Sequence, residues 1–213
     1  MTFSGYRSVM LRDGLRTIPD HLQERYRREG WWTDDTLGGF VERFVAENPD
    51  VTIDVWSDDA AWHGTYGDVA DEARRLMATL QAHGIERGSV VAFQLPNCRE
   101  AITAFFGLAL GGYVLVPIVH IYGRKEVGFI LRESGARAYI SSPAFGHVDY
   151  VDLIDAEADA LPSLEIHLVT GSAASPPAPA GVTRVTWSEV DAAIASEGAV
   201  ERVDPDEIVV VAY

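Results

Sequence analysis

The sequence predicts an α/β fold, doubly wound, with a mainly parallel sheet and helices on both faces. Three observations carry this prediction. The run Val90-Val91-Ala92-Phe93-Gln94-Leu95 is apolar on both sides of a strand, as a sheet covered on each face requires. Helical and strand periodicities alternate from that run as far as Ala138-Tyr139-Ile140. Gly111-Gly112 and Gly135 fall where each helix has to stop and the next strand begins.

Each element has its own local signal. Leu37, Phe40, Val41, Phe44 and Val45 repeat at helical spacing behind a cap at Thr36, and Asn48-Pro49 ends that helix. Residues 51–56 and 62–65 flank Ser57-Asp58-Asp59 and read as a β-hairpin. Thr65 with Asp68 forms a capping pair for a helix whose Val69, Ala73, Leu76, Met77 and Leu80 face one way as far as Gly84. After the strand at residues 90–95, Asn97 and Glu100 are spaced as a capping box for a helix over 99–110. A buried strand at 113–116 closes at Pro117, and residues 125–134 follow as a helix presenting Val127, Ile130 and Leu131. Further on, the pattern gives a helix at 150–158, a strand at 166–169 and a proline-rich loop at 172–180. A strand at 182–185, a short helix at 188–195 and a strand at 208–212 complete the chain, with no internal repeat.

Composition removes several function classes. With 17 basic and 32 acidic residues in 213, the net charge of −15 repels phosphate backbones and anionic lipid, so neither nucleic acid nor a membrane surface is an expected partner. The uncharged stretch from Ala101 to Tyr122 approaches the length of a membrane span, but Gly111-Gly112 divides it into a helix and a strand. Cys98 is the single cysteine, expected as a small buried hydrophobe in a reducing compartment. Met1-Thr2-Phe3-Ser4-Gly5 runs into Arg7, Arg12, Asp13 and Arg16 without an apolar core, which reads as no leader and a cytoplasmic location.

Catalytic constellations are nearly missing. The six histidines, His21, His63, His83, His120, His147 and His167, show no i, i+4 pair for a metal, and none is expected to be a ligand. There is no nucleophile elbow, no phosphate-binding glycine loop and no dinucleotide fingerprint, and Lys125 is the one lysine. The pairs Asp34-Asp35 and Asp58-Asp59 read as solvated turns, while Tyr66, Trp31 and Trp32 read as packing groups. A phosphoacceptor receiver shares the alternating pattern but needs a late lysine that this chain lacks.

Taken in order, four segments resemble the amino-terminal part of the adenylate-forming enzymes: acyl-CoA synthetases, aryl-acid adenylating enzymes and luciferase. Glu24-Arg25-Tyr26-Arg27 with Gly30-Trp31-Trp32 is similar to the opening segment E-R-Y-R-x-x-G-Y/W-W of aryl-acid and alicyclic-acid members. Thr65-Tyr66-Gly67-Asp68-Val69 resembles T-Y-x-E-L, and Gly88-Ser89-Val90-Val91-Ala92 with Leu95-Pro96-Asn97 resembles G-D-x-V-A-x-x-L-P-N. Leu110-Gly111-Gly112 through Pro117-Ile118 parallels L-G-A-x-x-V-P-I, followed by Glu126, Ile130-Leu131 and Ser134-Gly135-Ala136 as in E-L-x-x-I-L-x-x-S-G-A. Residues 204–213, ending Val209-Val210-Val211-Ala212-Tyr213, look like the strand that leads into the family's phosphate loop.

The resemblance implies an amino-terminal extension over 1–30 and an incomplete α/β domain over 31–213 that ends just before that loop. It implies an AMP-forming acid:CoA ligase: a carboxylic acid attacks the α-phosphate of ATP with Mg2+ to give an acyl-adenylate, and the CoA thiol then displaces AMP. Carrier-protein loading and a shortened non-catalytic interaction protein are the alternatives. The ATP, magnesium and acid sites belong to later segments of the family, so this chain alone is expected to be inactive, with no catalytic residue, no metal ligand and no cofactor of its own. Some members bring a basic side chain just after V-P-I to the CoA phosphates; the neighbourhood here is His120-Ile121-Tyr122, and Arg124 and Lys125 are the candidates. Exposed sheet edge and apolar surface are expected to make the chain self-associate.

Overall fold

The computed structural model describes residues 18–57, 61–171, 177–195 and 203–213. Helices α1 (Asp20–Arg28) and α2 (Leu37–Glu47) lead into an antiparallel pair, β1 (Thr52–Val55) with β2 (Trp62–Thr65). Then come α3 (Tyr66–Ala82), β3 (Val90–Gln94), α4 (Arg99–Leu110), β4 (Val114–Pro117), α5 (Arg124–Ser134) and β5 (Ala138–Ser141). A small hairpin, β6 (Ala144–Phe145) with β7 (Val148–Asp149), opens α6 (Tyr150–Glu157) and a 3-10 turn, Ala158–Ala160. Last are β8 (Ile166–Val169), β9 (Thr183–Thr186) and α7 (Trp187–Ala192).

The central sheet has five strands in the order β4-β3-β5-β8-β9, every neighbouring pair parallel. Its two faces separate the core. Val91, Leu115, Ile140 and Leu168 pack against Leu76 and Leu80 of α3, Leu108 of α4 and Trp187 of α7. Val90, Ala92, Val116 and Tyr139 face Val127, Ile130 and Leu131 of α5 and Tyr150 and Ile154 of α6. Helices therefore cover both faces, and each fully buried leucine or isoleucine contributes about 1.5–3 kcal/mol by leaving water. An outer layer follows, where Val41 and Val45 of α2 sit on Ala70, Ala73 and Met77 of α3 and Ala109 of α4. Helices α3 and α4 approach closely because Gly107 has no side chain: a Cβ there would stand 2.8 Å from the Ala73 carbonyl oxygen.

Most local signals translate directly into structure. Thr36 accepts from Gly39 N, capping α2. At α3 the Thr65 amide donates to Asp68 Oδ2 at 2.8 Å while Asp68 N donates to Thr65 Oγ1 at 3.1 Å. Those bonds from Thr65 hold the Asp68 carboxyl below its usual range. Cys98 is buried and free, and burial pushes its thiol up to about 12.

Three expectations need correction, and one helix is new. Asn97 does not cap α4: Cys98 is the N-cap with no side-chain bond, which puts Glu100 at the second position, beside Arg99 at 3.5 Å. The chain turns one residue too late for a box. The expected helix over 188–195 begins at Trp187 and ends at Ala192, because Thr186 and Glu189 form its capping box. Residues 208–212 do not form a full strand; Val210 makes one parallel bridge to Leu115, through Leu115 N to Val209 O at 2.8 Å and Val211 N to Leu115 O at 2.9 Å. The outer side of that segment pairs with nothing among the described residues, so ladder cooperativity is absent. Helix α1 was not anticipated by periodicity, since none of its residues is buried and no apolar stripe exists to be read. The hairpin tip at Asp58-Asp59, the first 17 residues and residues 172–176 of the proline-rich loop lie outside the described residues.

Candidate functional site

In an open parallel sheet, ligands gather beyond the carboxyl ends of strands where the strand order reverses. Here the reversal lies between β3 and β5, whose last residues are Gln94 and Ser141. Both strands are apolar elsewhere, so a polar group at either position must find partners or destabilise the sheet.

Gln94 finds three. Its Nε2 donates to the carbonyls of Val119 and Tyr122, each at 2.9 Å, and its Oε1 accepts from the Tyr139 hydroxyl at 2.5 Å. Tyr139 stacks on His167 with ring centroids 5.1 Å apart, and His167 Nε2 is hydrogen-bonded to Ser141 Oγ at 2.8 Å. Gln94, Tyr139, Ser141 and His167 are all fully buried. Burial pushes the Tyr139 hydroxyl well above its ordinary value, with the Tyr150 hydroxyl adding to it. Burial drives His167 well below its ordinary range, and the Arg184 guanidinium on the neighbouring strand adds to that. Both groups are neutral at pH 7.

What this network holds is the loop after β4. Val119 and Tyr122 hang from Gln94, the Tyr150 hydroxyl donates to the His120 carbonyl, and the His120 ring meets Phe145 edge-on at 4.7 Å. The backbone of 119–122 is thus tied to the carboxyl end of β3 at the reversal, while the side chains of Val119 and Ile121 stay exposed. The described residues contain no group of three or more His, Cys, Asp or Glu able to hold a metal.

The structure separates the two basic candidates. Arg124 donates from Nε to Glu157 Oε1 at 2.5 Å and from Nη2 to the Ala156 carbonyl at 3.1 Å, so it ties α5 to α6. Lys125 is exposed and makes no ion pair among the described residues. Sequence reasoning singled out neither Gln94, Tyr139, Ser141, Tyr150 nor His167. The signal was available: a polar side chain inside a strand buried on both faces requires a partner on the same face.

A second polar centre lies among the helices. Glu72 of α3 is buried, paired with Arg99 Nη2 at 3.0 Å, and accepts from Thr103 Oγ1 at 2.6 Å and Trp187 Nε1 at 3.0 Å. It borders a polar cleft of about 310 Å3 lined also by Trp62, His63, Asp68, Asp71, Arg75 and Asp191. Asp68 of that lining caps α3 through Thr65, and Asp71 pairs with Arg74 within the same helix.

No helix among the described residues is long and apolar enough to cross a membrane. Comparison with known proteins agrees with the architecture. The chain is 30% identical over 160 residues to a 2,3-dihydroxybenzoate-AMP ligase of Bacillus subtilis (strain 168), covering 75% of this chain and 29% of the relative. It is 28% identical over 149 residues to a medium-chain fatty-acid–CoA ligase of Escherichia coli (strain K12), covering 70% of this chain and 26% of that one. Among solved structures, apo MbtA of Mycobacterium smegmatis superposes with a TM-score of 0.76 at 26% identity, covering 95% of this chain and 35% of that protein. The chain thus spans about a third of the length of the relatives it matches. The sequence profile of the AMP-binding enzymes matches residues 41–213, taking in α3, all five parallel strands and the Leu115–Val210 bridge. With that match over most of its length, the chain belongs to the AMP-binding enzyme family of adenylate-forming ligases.

Proposed function

We propose that this chain is the amino-terminal α/β part of an AMP-forming acid:CoA ligase, which activates a carboxylic acid with ATP and Mg2+ to an acyl-adenylate and passes the acyl group to CoA. The observation that supports this most is the pairing of residues 209–211 with β4: it extends the sheet by a sixth, parallel position at its edge, in the segment that resembles the lead into the family's phosphate loop. Within this chain, Lys125 is the better placed of the two basic candidates for a CoA phosphate, because Arg124 is already engaged by Glu157. On this reading the glycine-rich loop belongs to a later segment of the ligase, and catalysis is assigned to the complete protein.

A second reading is favoured by the aryl-acid relatives. The Bacillus 2,3-dihydroxybenzoate-AMP ligase and the vibriobactin-specific one of Vibrio cholerae cover 75% and 89% of this chain. On that reading the acceptor is a carrier-protein thiol instead of CoA. One experiment decides: the full gene product is assayed for acid-dependent exchange of pyrophosphate into ATP over a panel of aromatic, alicyclic and fatty acids, then offered CoA or a carrier protein. Acid-dependent exchange followed by AMP release with CoA supports the first reading, transfer to carrier protein alone the second, and no exchange with any acid refutes both.

A further inference from the structure

The aromatic-arginine segment after residue 23 has a structural task that the proposed reaction does not absorb. Helix α1 buries none of its residues, yet its end is tightly built: Trp31 N and Trp32 N both donate to the Tyr26 carbonyl, at 2.8 and 3.1 Å. Tyr26 packs against both indoles, with centroids 5.5 and 5.7 Å away. The Arg27 guanidinium lies 5.4 Å from the centre of the Trp32 ring, and its Nη2 donates to Asp206 across 179 residues of sequence.

Asp206 belongs to the start of the last described segment, where its own amide donates to Asp204 Oδ1 at 3.0 Å and Glu207 N donates to the Asp204 carbonyl at 2.9 Å. From that turn the segment runs along β4. Val203 sits over Gly112, where an added Cβ would come within 2.7 Å of its Cγ1. Val209 and Val211 bond to Leu115, and the Tyr213 ring meets Phe129 of α5 edge-on at 6.3 Å. One bridge is a weak hold for a strand at an open edge, and the Arg27 contact fixes the turn that delivers it.

We infer that Arg27 is a positioning residue: through Asp206 it fixes how residues 204–213 seat against β4. The arrangement follows from the chain's own contacts; its importance for nucleotide binding rests on the reading of this chain as part of an adenylating ligase.

The test is amide hydrogen exchange on this chain, read at Leu115 and Val211, with Val91 as the internal reference. In the Arg27→Asp and Asp206→Arg variants, exchange at both amides speeds up by about two- to fivefold, the range for an exposed ion pair coupled to local opening. The double variant Arg27→Asp/Asp206→Arg, which rebuilds the pair reversed, returns the wild-type rates. Arg25→Asp changes the same helix but a different pair, with Glu29, and leaves both amides unchanged. The inference is overturned by unchanged rates in Arg27→Asp, by an equal effect of Arg25→Asp, by acceleration at Val91 as well, or by no recovery in the double variant. In the complete gene product the same Arg27→Asp change raises KM for ATP with kcat retained. If that product activates no acid, the functional reading fails while the exchange result stands.

Discussion

Tyr139 and Gln94 stand on adjacent parallel strands, with Tyr139 opposite Ala92, and the tyrosine hydroxyl reaches along the sheet to donate a hydrogen bond to the Gln94 amide oxygen at 2.5 Å. That single bond uses the last free acceptor of a glutamine whose nitrogen already carries Val119 and Tyr122. The post-β4 loop is therefore built on the sheet interior.

Replacing Gln94 by Ala leaves the Tyr122 carbonyl and the buried Tyr139 hydroxyl without their partner, while the Val119 carbonyl keeps only the Tyr122 amide. The expected cost is about 2–4 kcal/mol, from a cavity and the lost desolvation compensation. Urea unfolding measures it. Pairing Gln94→Met with Tyr139→Phe removes the hydroxyl's need for an acceptor, so the double variant is less unstable than the sum of the singles by about 1 kcal/mol.

His167 sets a pH dependence with a definite sign. Burial and then Arg184 depress its folded-state value below the unfolded one, so the unfolded chain binds the proton first as pH falls. Stability assigned to neutral His167 is fully present above about pH 6.5 and is lost progressively below it, until the folded form also protonates. The groups facing it are Ser141 and Tyr139 on β5, Arg184 on β9 and, beyond Arg184, Asp155 on α6. The unfolding free energy of wild type minus that of His167→Gln is expected to be flat above pH 7 and to fall between pH 6.5 and 5. A difference that stays constant over that range removes His167 as the titrating group.

How much of this was legible is clearest in particular residues. The strand at Val90–Gln94 showed itself because both faces are buried in the same layer pattern, and the α3 start showed itself because Thr65 and Asp68 act over three residues. Asn97 misled because a capping box needs the chain to turn at one residue, and spacing alone left Asn97 and Cys98 equal. Helix α1 was invisible because it is held by Arg27, Tyr26 and two indoles and buries no stripe. The Gln94–Tyr139–His167 network joins residues 28 to 73 apart in sequence, a distance over which no local periodicity speaks; only the presence of polar residues in buried strands marked the spot.

Glu72 gives a contrast with the sheet network, because it joins helices instead of strands. Arg99, Thr103 and Trp187 all converge on one buried carboxylate, joining α3, α4 and α7. Glu72→Ala leaves the indole N–H and the Thr103 hydroxyl without their acceptor and Arg99 with Glu100 alone at 3.5 Å, and the expected loss is about 3–5 kcal/mol. Glu72→Gln retains the shape and one acceptor and costs less. Thermal unfolding ranks the three proteins, and Trp187 emission shifts only if α7 loosens from α3.

Gly107 tests the close approach of α3 and α4. With 2.8 Å between an added Cβ and the Ala73 carbonyl, Gly107→Ala forces backbone to move, because a carbonyl oxygen of a helix cannot swing aside as a side chain does. Helix propensity favours alanine by about 1 kcal/mol, while overpacking costs typically 1–3 kcal/mol, so a net destabilisation is expected. An increase in denaturant midpoint would show the interface to be more compliant than its geometry.

Self-association is the last expectation, and the edge beyond β4 supplies its mechanism. Only one bridge ties residues 209–211 to the sheet, leaving their outer backbone groups unpaired among the described residues, while Val210, Tyr213 and Phe129 expose apolar surface beside them. Such an edge accepts a second strand, and two copies can satisfy each other there. Light scattering of the purified chain is expected to show dimers or larger species at micromolar concentration. Val210→Lys places a charge at the centre of that edge without touching the Leu115 bonds, which run through the backbone of residues 209 and 211. The variant is expected to shift the chain toward monomer with unchanged thermal stability; a wild-type chain that is already monomeric, or association insensitive to Val210→Lys, would remove this edge as the contact.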